Sequence, residues 1–170
     1  IIPSISKGQS EISTLLKSED VLHTLNAFKL MGVRIEDKEN KIIINGLGLN
    51  GLKKPNKDIY LGNSGTSARL LTGLLAAQNF DTKITGDKSL SKRPMKRISD
   101  PLIKMGANIE TSDGKLPLII KGSKLINQKI NVKIPSAQIK SGLIFAALNT
   151  SGVTEIIEHS ISRDHTEIML

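Results

Sequence analysis

The chain has 170 residues, a formal net charge of +8, no cysteine, and aromatic side chains from only three phenylalanines and one tyrosine. This length suffices for a sizeable core, which must be aliphatic, and the lack of cysteine excludes disulfide and thiolate chemistry. No apolar run approaches the roughly 18 residues of a membrane span, so we expect a cytoplasmic protein with no membrane partner.

The hydrophobic pattern and the turn residues predict an α/β chain of the α+β type. In chain order we predict the end of a helix at 1–6, a strand at 8–13, a helix at 18–31, strands at 33–36 and 41–45, a loop at 46–57, a strand at 58–61, a helix at 65–79, a strand at 82–85, a helix at 93–105, strands at 107–111, 117–121 and 129–134, a helix at 136–149, a strand at 154–158 and a helix from 164. Pro101 is expected to kink the helix that contains it.

The predicted elements repeat. Ile12, Ile84 and Ile156 recur at a spacing of 72 residues, and each unit reads strand–helix–strand–helix–strand–strand over about 70 residues. One complete unit is flanked by two partial ones, so we interpret residues 1–170 as a single incomplete domain and as a fragment of a longer protein. The alternative is a short form that completes its edges by oligomerising, and the sequence leaves the oligomeric state open.

The basic composition indicates an anionic partner. Nucleic acid is not expected, because there are few aromatic side chains to stack on bases and the lysines are spread along the chain. Arginine is scarce in this lysine-rich chain and is the informative cation, because its planar fork binds carboxylate and phosphate groups through two hydrogen bonds. The five arginines are Arg34, Arg69, Arg93, Arg97 and Arg163. Arg34 lies in an exposed predicted strand, and most of the lysines are interpreted as a solvated surface.

The segment LGNSGTSARLL joins a predicted strand to a predicted helix. Ser64 or Thr66 is suited to cap this helix, and Gly65 lets a ligand approach the backbone. The free N–H groups of a helix start attract anions, and Arg69 adds a full positive charge. An equally good interpretation, from these residues alone, is a capped helix after a tight turn.

Three further segments stand at predicted helix starts: GDKSLSKRPM, PSAQ and SRDH. If the repeats place all helix starts at one end, they form one anion-binding surface. Its members would be Gly65, Arg69, Arg93, Ser136, Gln138 and Arg163. The plainer alternatives are that Ser136 only caps its helix and that Gln138 is a surface residue. The three histidines have no metal-ligand spacing, so no metal is expected.

Four motifs, LGNSGTSARLL, GDKSLSKRPM, PSAQIKSG and SRDHTEIML, follow in this order. Together they resemble the 5-enolpyruvylshikimate-3-phosphate synthase family (3-phosphoshikimate 1-carboxyvinyltransferases), over residues 5–170. The forms SAQ and RDHTE resemble the branch that includes glyphosate-tolerant members. The resemblance implies the two-domain enolpyruvyl transferase fold, with three such repeats in each domain, of which this chain would be most of one domain.

The resemblance also implies transfer of the enolpyruvyl group of phosphoenolpyruvate to the 5-hydroxyl of shikimate 3-phosphate, with release of phosphate, on the shikimate pathway to aromatic amino acids. It implies no organic cofactor, and the two small anionic substrates as partners. The implied residues are Gly65, Arg93 and Gln138 for phosphoenolpyruvate, Ser136, Gln138 and Arg163 for shikimate 3-phosphate, and Asn63, Thr66 and Arg69 as residues that shape the loop.

Two parts of the family pattern are absent from these residues: the first motif, Lys-Ser-x-Ser-x-Arg, and the second domain with its acidic catalytic groups. We therefore expect no catalytic residue in this chain, no turnover by the chain alone, and weak binding of shikimate 3-phosphate. Gly65 implies sensitivity to glyphosate, because tolerant members carry alanine there.

Two rival interpretations remain at this stage. The sister family of UDP-N-acetylglucosamine enolpyruvyl transferases shares the repeat but typically uses a cysteine in the loop that corresponds to residues 86–95, where this chain has none. The other rival is a non-catalytic module that binds anions or RNA through the same repeat.

Overall fold

Nine strands and six helices follow one another in the computed structural model, which describes all 170 residues. The helices are α1 Ile2–Ile5, α2 Glu19–Leu30, α3 Gly65–Ala76, α4 Lys96–Lys104, α5 Ala137–Ala147 and α6 His165–Met169. The strands are β1 Lys7–Ser13, β2 Arg34–Lys38, β3 Lys41–Leu47, β4 Ile59–Tyr60, β5 Thr82–Thr85, β6 Asn108–Ser112, β7 Lys115–Lys121, β8 Lys129–Val132 and β9 Glu155–Glu158. This order confirms the predicted α/β class.

The strands form three sheets, with the orders β1-β3-β2, β4-β5-β7-β6 and β8-β9. The first sheet matches β5-β7-β6 of the second, and the third matches β4-β5. Ile12 of β1 lies opposite Ile42 of β3, and at the matching place in the second sheet Ile84 of β5 lies opposite Leu118 of β7. The pairs β4–β5 and β8–β9 are parallel, and a helix makes the crossover within each pair, as parallel strands require. The repeat predicted from the isoleucine spacing is therefore present in the strand pairing.

Helices α3 and α5 pack against each other in the middle of the core. Nine of the twelve residues of α3 are buried, far more than the one apolar stripe that a surface helix hides. Two glycines allow the close crossing, because a Cβ on Gly73 would overlap the carbonyl oxygen of Gly142. The surrounding core is aliphatic, as the composition predicted, with Leu71, Leu74 and Leu143 fully buried.

Several predicted bounds were wrong. The helix predicted at 93–105 begins only at Lys96, after a 3₁₀ turn at Leu90–Lys92. Arg93 is extended, with φ −77° and ψ 138°, because the ring of Pro94 excludes the helical region for the residue before it. The helix predicted to 79 ends at Ala76, and the strands predicted at 58–61 and 129–134 shorten to β4 and β8. None of the helices has both the length and the apolar character needed to cross a membrane.

Candidate functional site

The start of α3 is fixed by a chain of hydroxyl groups. The Ser64 side chain caps the helix by accepting a hydrogen bond from the Ser67 backbone N–H at 3.2 Å, and the two hydroxyls lie 2.7 Å apart. The Ser67 hydroxyl also lies 2.6 Å from the Thr24 hydroxyl of α2. Of the two capping candidates, the structure therefore assigns Ser64, and the preceding turn is held against α2.

The turn before this cap depends on a glycine. Gly62 adopts a positive φ of 55°, and a Cβ there would overlap the imidazole ring of His23. Glycine enters this backbone region without the steric cost that other residues meet. The turn therefore brings strand β4 directly into the first turn of α3, and Asn63 is left exposed above it.

Two arginines enclose the backbone of Gly65. A methyl group on Gly65 would lie 2.7 Å from Nη1 of Arg69 and 2.9 Å from Nη1 of Arg93. Arg69 donates to the carbonyl oxygen of Gly65 at 3.0 Å and to that of Pro94 at 3.3 Å. Arg93 donates to Oδ1 of Asn63 at 2.7 Å. Both guanidinium groups are therefore held beside a helix start by neutral oxygen atoms.

Gln138, in the first turn of α5, joins the two helix starts. Its Oε1 accepts a hydrogen bond from Arg69 at 3.0 Å, and its amide nitrogen donates to the Thr66 hydroxyl at 2.8 Å. We use the term arginine cluster for the group of residues in mutual contact here. Its members are Asn63, Gly65, Thr66, Arg69, Arg93 and Gln138.

Ser136 lies at the edge of the arginine cluster. It is the N-cap of α5, and its hydroxyl lies 3.5 Å from the Ile139 backbone N–H, at the long end for a hydrogen bond. Ser136 therefore caps α5, as the plainer interpretation predicted. Because the bond is long, the hydroxyl is only weakly engaged within the chain.

The arginine cluster carries positive charge that no acid compensates. Burial, and then the charges of Arg93 and Arg97, lower the pKa of the Arg69 guanidinium, which still leaves an arginine protonated at neutral pH. The only arginine in an ion pair is Arg34, with Glu36 at 2.8 Å on the surface. Cations packed side by side without a carboxylate are unfavourable unless an anion joins them.

Arg163 is not brought into contact with the arginine cluster. Its exposed side chain follows Ser162 in the segment between β9 and α6, and it makes no hydrogen bond or ion pair. This segment nonetheless packs against α5, because Glu158 at the end of β9 contacts Lys140 of α5 at 2.9 Å and the Thr166 hydroxyl lies 2.7 Å from that of Ser141. The candidate site thus has a tight part and a more open part.

One charged residue next to this site was not predicted from the sequence. Lys140 of α5 is 9% exposed, and its ammonium group contacts Glu158 at 2.9 Å and Glu167 at 2.7 Å. The only signal in the sequence is a lysine between isoleucine and small residues in PSAQIKSG, which does not distinguish a buried lysine from one at the edge of a helix. No group of three or more histidine, aspartate or glutamate side chains is placed to hold a metal ion.

Comparison with known sequences identifies relatives along the whole chain. A family model described as EPSP synthase (3-phosphoshikimate 1-carboxyvinyltransferase) matches residues 1–170. The protein named 3-phosphoshikimate 1-carboxyvinyltransferase of Legionella pneumophila strain Philadelphia 1 is 54% identical over 174 residues, which cover 100% of this chain and 40% of the relative. The protein of the same name from Ruthia magnifica is 52% identical, over 100% of this chain and 39% of the relative. The chain spans about 40% of the length of these relatives.

Solved structures give the same result for the fold. EPSP synthase from Acinetobacter baumannii matches with a TM-score of 0.96 and 47% identity, over 99% of this chain and 39% of that one. The enolpyruvyl transferase NikO from Streptomyces tendae matches with a TM-score of 0.61 and 16% identity, over 90% of this chain and 35% of that one. The second match shows a shared fold only.

Proposed function

The chain belongs to the EPSP synthase (3-phosphoshikimate 1-carboxyvinyltransferase) family, and we propose that it forms part of one domain of an enzyme of the shikimate pathway. This enzyme transfers the enolpyruvyl group of phosphoenolpyruvate to the 5-hydroxyl of shikimate 3-phosphate and releases phosphate. A cytoplasmic location stays a prediction from the sequence.

The observation that carries this proposal is the uncompensated arginine cluster. Arg69 and Arg93 sit beside the free N–H groups of α3, and every oxygen that they contact is neutral. A helix start and two guanidinium groups together favour a ligand with more than one negative charge. Phosphoenolpyruvate has both a carboxylate and a phosphate, so its chemistry fits this surface.

Each site residue then has a physical role. Arg93, held on one side by Asn63, presents its fork to an anionic group of phosphoenolpyruvate, and Gly65 leaves room for that group against the backbone. Ser136 and Arg163 bind shikimate 3-phosphate in the more open part of the site. Gln138 lies between the two parts and orients both ligands. Fixed cations and dipoles also stabilise the charge that develops as the 5-hydroxyl adds and phosphate leaves.

Proton transfer needs an acid or base within reach of the reacting atoms. The contacts of Arg69 and Arg93 include no carboxylate. The family resemblance implies that the acidic catalytic groups belong to the second domain, so we assign proton transfer to groups outside these 170 residues and expect the chain alone to bind without turnover. Glyphosate sensitivity also belongs to the proposal, because Gly65 lacks the methyl group that would press on Arg69 and Arg93 and crowd the inhibitor.

The test is a chimera, in which these 170 residues replace the matching stretch of the Legionella pneumophila relative. We expect release of phosphate that requires both phosphoenolpyruvate and shikimate 3-phosphate. Arg93→Lys should lower kcat/KM by about a hundredfold, since it keeps the charge but loses the fork. Arg34→Lys is the matched control, because Arg34 pairs with Glu36 on the surface. The proposal would be overturned by a folded chimera that transfers the enolpyruvyl group neither to shikimate 3-phosphate nor to UDP-N-acetylglucosamine, or only to UDP-N-acetylglucosamine.

A further inference from the structure

A cluster of ionised side chains around the buried Lys140 joins α5 to the segment that carries Arg163. Lys140 contacts Glu158 and Glu167, and the Ser162 hydroxyl donates to the two Glu158 oxygens at 2.7 and 2.9 Å. We call Lys140, Glu158, Ser162 and Glu167 the Lys140 cluster. The residues of this cluster come from a helix, the end of a strand, a loop and a second helix, so they tie together four parts of the chain.

The segment from β9 to α6 has few other means to keep its position. Helix α6 has five residues and buries only Thr166, and so short a helix is not stable by itself. Its apolar side chains stay outside, with Ile168 74% exposed and Met169 62% exposed. The Thr166 hydroxyl lies 2.7 Å from the Ser141 hydroxyl of α5. Polar contacts to α5, on both sides of Arg163, therefore hold this segment.

The Lys140 cluster also determines which charges surround Arg163. Residues 158–167 contain the carboxylates of Glu158, Asp164 and Glu167 and a single arginine, Arg163. Burial alone would lower the pKa of the Lys140 ammonium group, but its hydrogen bonds with the two glutamates raise it above the usual value. Burial would likewise raise the pKa of the Glu158 carboxyl, and its bonds to Lys140 and Ser162 lower it. Both groups are charged at neutral pH, and Lys140 satisfies the two carboxylates.

We infer that Lys140 is a positioning residue for the shikimate 3-phosphate part of the site. It fixes the Arg163 segment against the start of α5, where Ser136 and Gln138 lie, and it occupies the two glutamates that would otherwise pair with Arg163 and repel an anionic substrate. This inference rests on the proposed function, because it concerns how that substrate is held.

The experiment compares Lys140→Met and Lys140→Arg in the chimera, with Lys121→Met as the matched control. Lys121 also pairs with a glutamate, Glu110 at 2.6 Å, but on an exposed sheet surface. We expect Lys140→Met to raise KM for shikimate 3-phosphate about tenfold or more, which is the size expected for the loss of one charge-assisted hydrogen bond. KM for phosphoenolpyruvate should not change. Lys140→Arg restores most of the affinity, and the control variant behaves like the unsubstituted chimera.

A milder variant keeps the inference testable if Lys140→Met does not fold. Ser162→Ala removes one of the polar contacts that hold the Arg163 segment and leaves those of Lys140 in place. We therefore expect KM for shikimate 3-phosphate to rise only about threefold, again without a change in KM for phosphoenolpyruvate. An equal rise in both KM values, or a fall in kcat with both unchanged, in either variant overturns the inference. An inactive, folded, unsubstituted chimera instead overturns the proposed function itself.

Discussion

Replacing Gly65 by alanine would put a methyl group between two guanidinium groups at the centre of the candidate site. The new Cβ would lie 2.7 Å from Nη1 of Arg69 and 2.9 Å from Nη1 of Arg93, whereas ordinary contacts begin at 3.4 Å. Both guanidinium groups must therefore move, Arg69 by about 0.7 Å and Arg93 by about 0.5 Å, because dispersion contacts become repulsive at shorter range. Both neighbours are the tips of flexible side chains, so the fold itself is expected to tolerate the change.

The magnitude follows from the contacts of Arg93. A charge-assisted hydrogen bond contributes about 1.5–3 kcal/mol, and losing one from Arg93 to phosphoenolpyruvate would raise KM for that substrate by about tenfold or more. The expected change in the free energy of unfolding is under about 1 kcal/mol, because alanine is also the better helix former. We expect KM for shikimate 3-phosphate to stay the same and the half-inhibiting concentration of glyphosate to rise.

The assay is steady-state kinetics on the chimera and its Gly65→Ala variant, with urea denaturation of the 170-residue chain as the stability measurement. An unchanged KM for phosphoenolpyruvate would contradict this role of Gly65. So would a loss of more than about 2 kcal/mol in the free energy of unfolding, which would indicate overpacking of rigid atoms.

The remaining predictions concern stability of the 170-residue chain. Gly73→Ala should lower the free energy of unfolding by about 3 kcal/mol, because its methyl group would meet the Gly142 backbone, which cannot rotate away. Urea denaturation measures this change, and a value below about 1 kcal/mol would contradict the close crossing of α3 and α5. Ser64→Ala should cost about 1–2 kcal/mol through the lost cap, and an unchanged midpoint would contradict that role. Because the pKa of Glu158 is lowered from 4.5 and that of Lys140 is raised from 10.5, their pair should stabilise the fold fully between those values. Its contribution should disappear as the pH falls through the folded pKa of Glu158 or rises through that of Lys140. The measurement is the difference in the free energy of unfolding between the chain and Lys140→Met as a function of pH, and a difference that does not change with pH would contradict this.

The repeat was predictable because equivalent strands carry the same alternation of apolar and polar residues at a constant spacing along the chain. The spacing of Ile12, Ile84 and Ile156 predicts equivalent strands, and a one-residue slip in register would have turned each of these side chains to the opposite face. The presence of a cap on α3 was also predictable, because a serine just before a helical pattern indicates an N-cap. The sequence did not decide between Ser64 and Thr66, because both lie within one turn of the helix start.

The misses have physical causes. The helix predicted from Arg93 begins three residues later, because Pro94 keeps the residue before it out of the helical region. Lys140 was missed because its partners, Glu158 and Glu167, follow in a strand and a short helix that only the tertiary fold brings to α5. The convergence of Thr66 with Gln138 likewise depends on how α3 packs against α5.

The most direct test of the account is an NMR titration of the 170-residue chain with shikimate 3-phosphate, because amide shifts detect even weak binding and report its place. We expect saturable shifts at Ser136, Gln138 and Arg163. The variant Arg163→Gln should weaken them, and the surface control Arg34→Gln should leave them unchanged. Shifts confined to other surfaces, or none up to concentrations at which weak anion binding saturates, would contradict the claim that these helix starts form part of a substrate site.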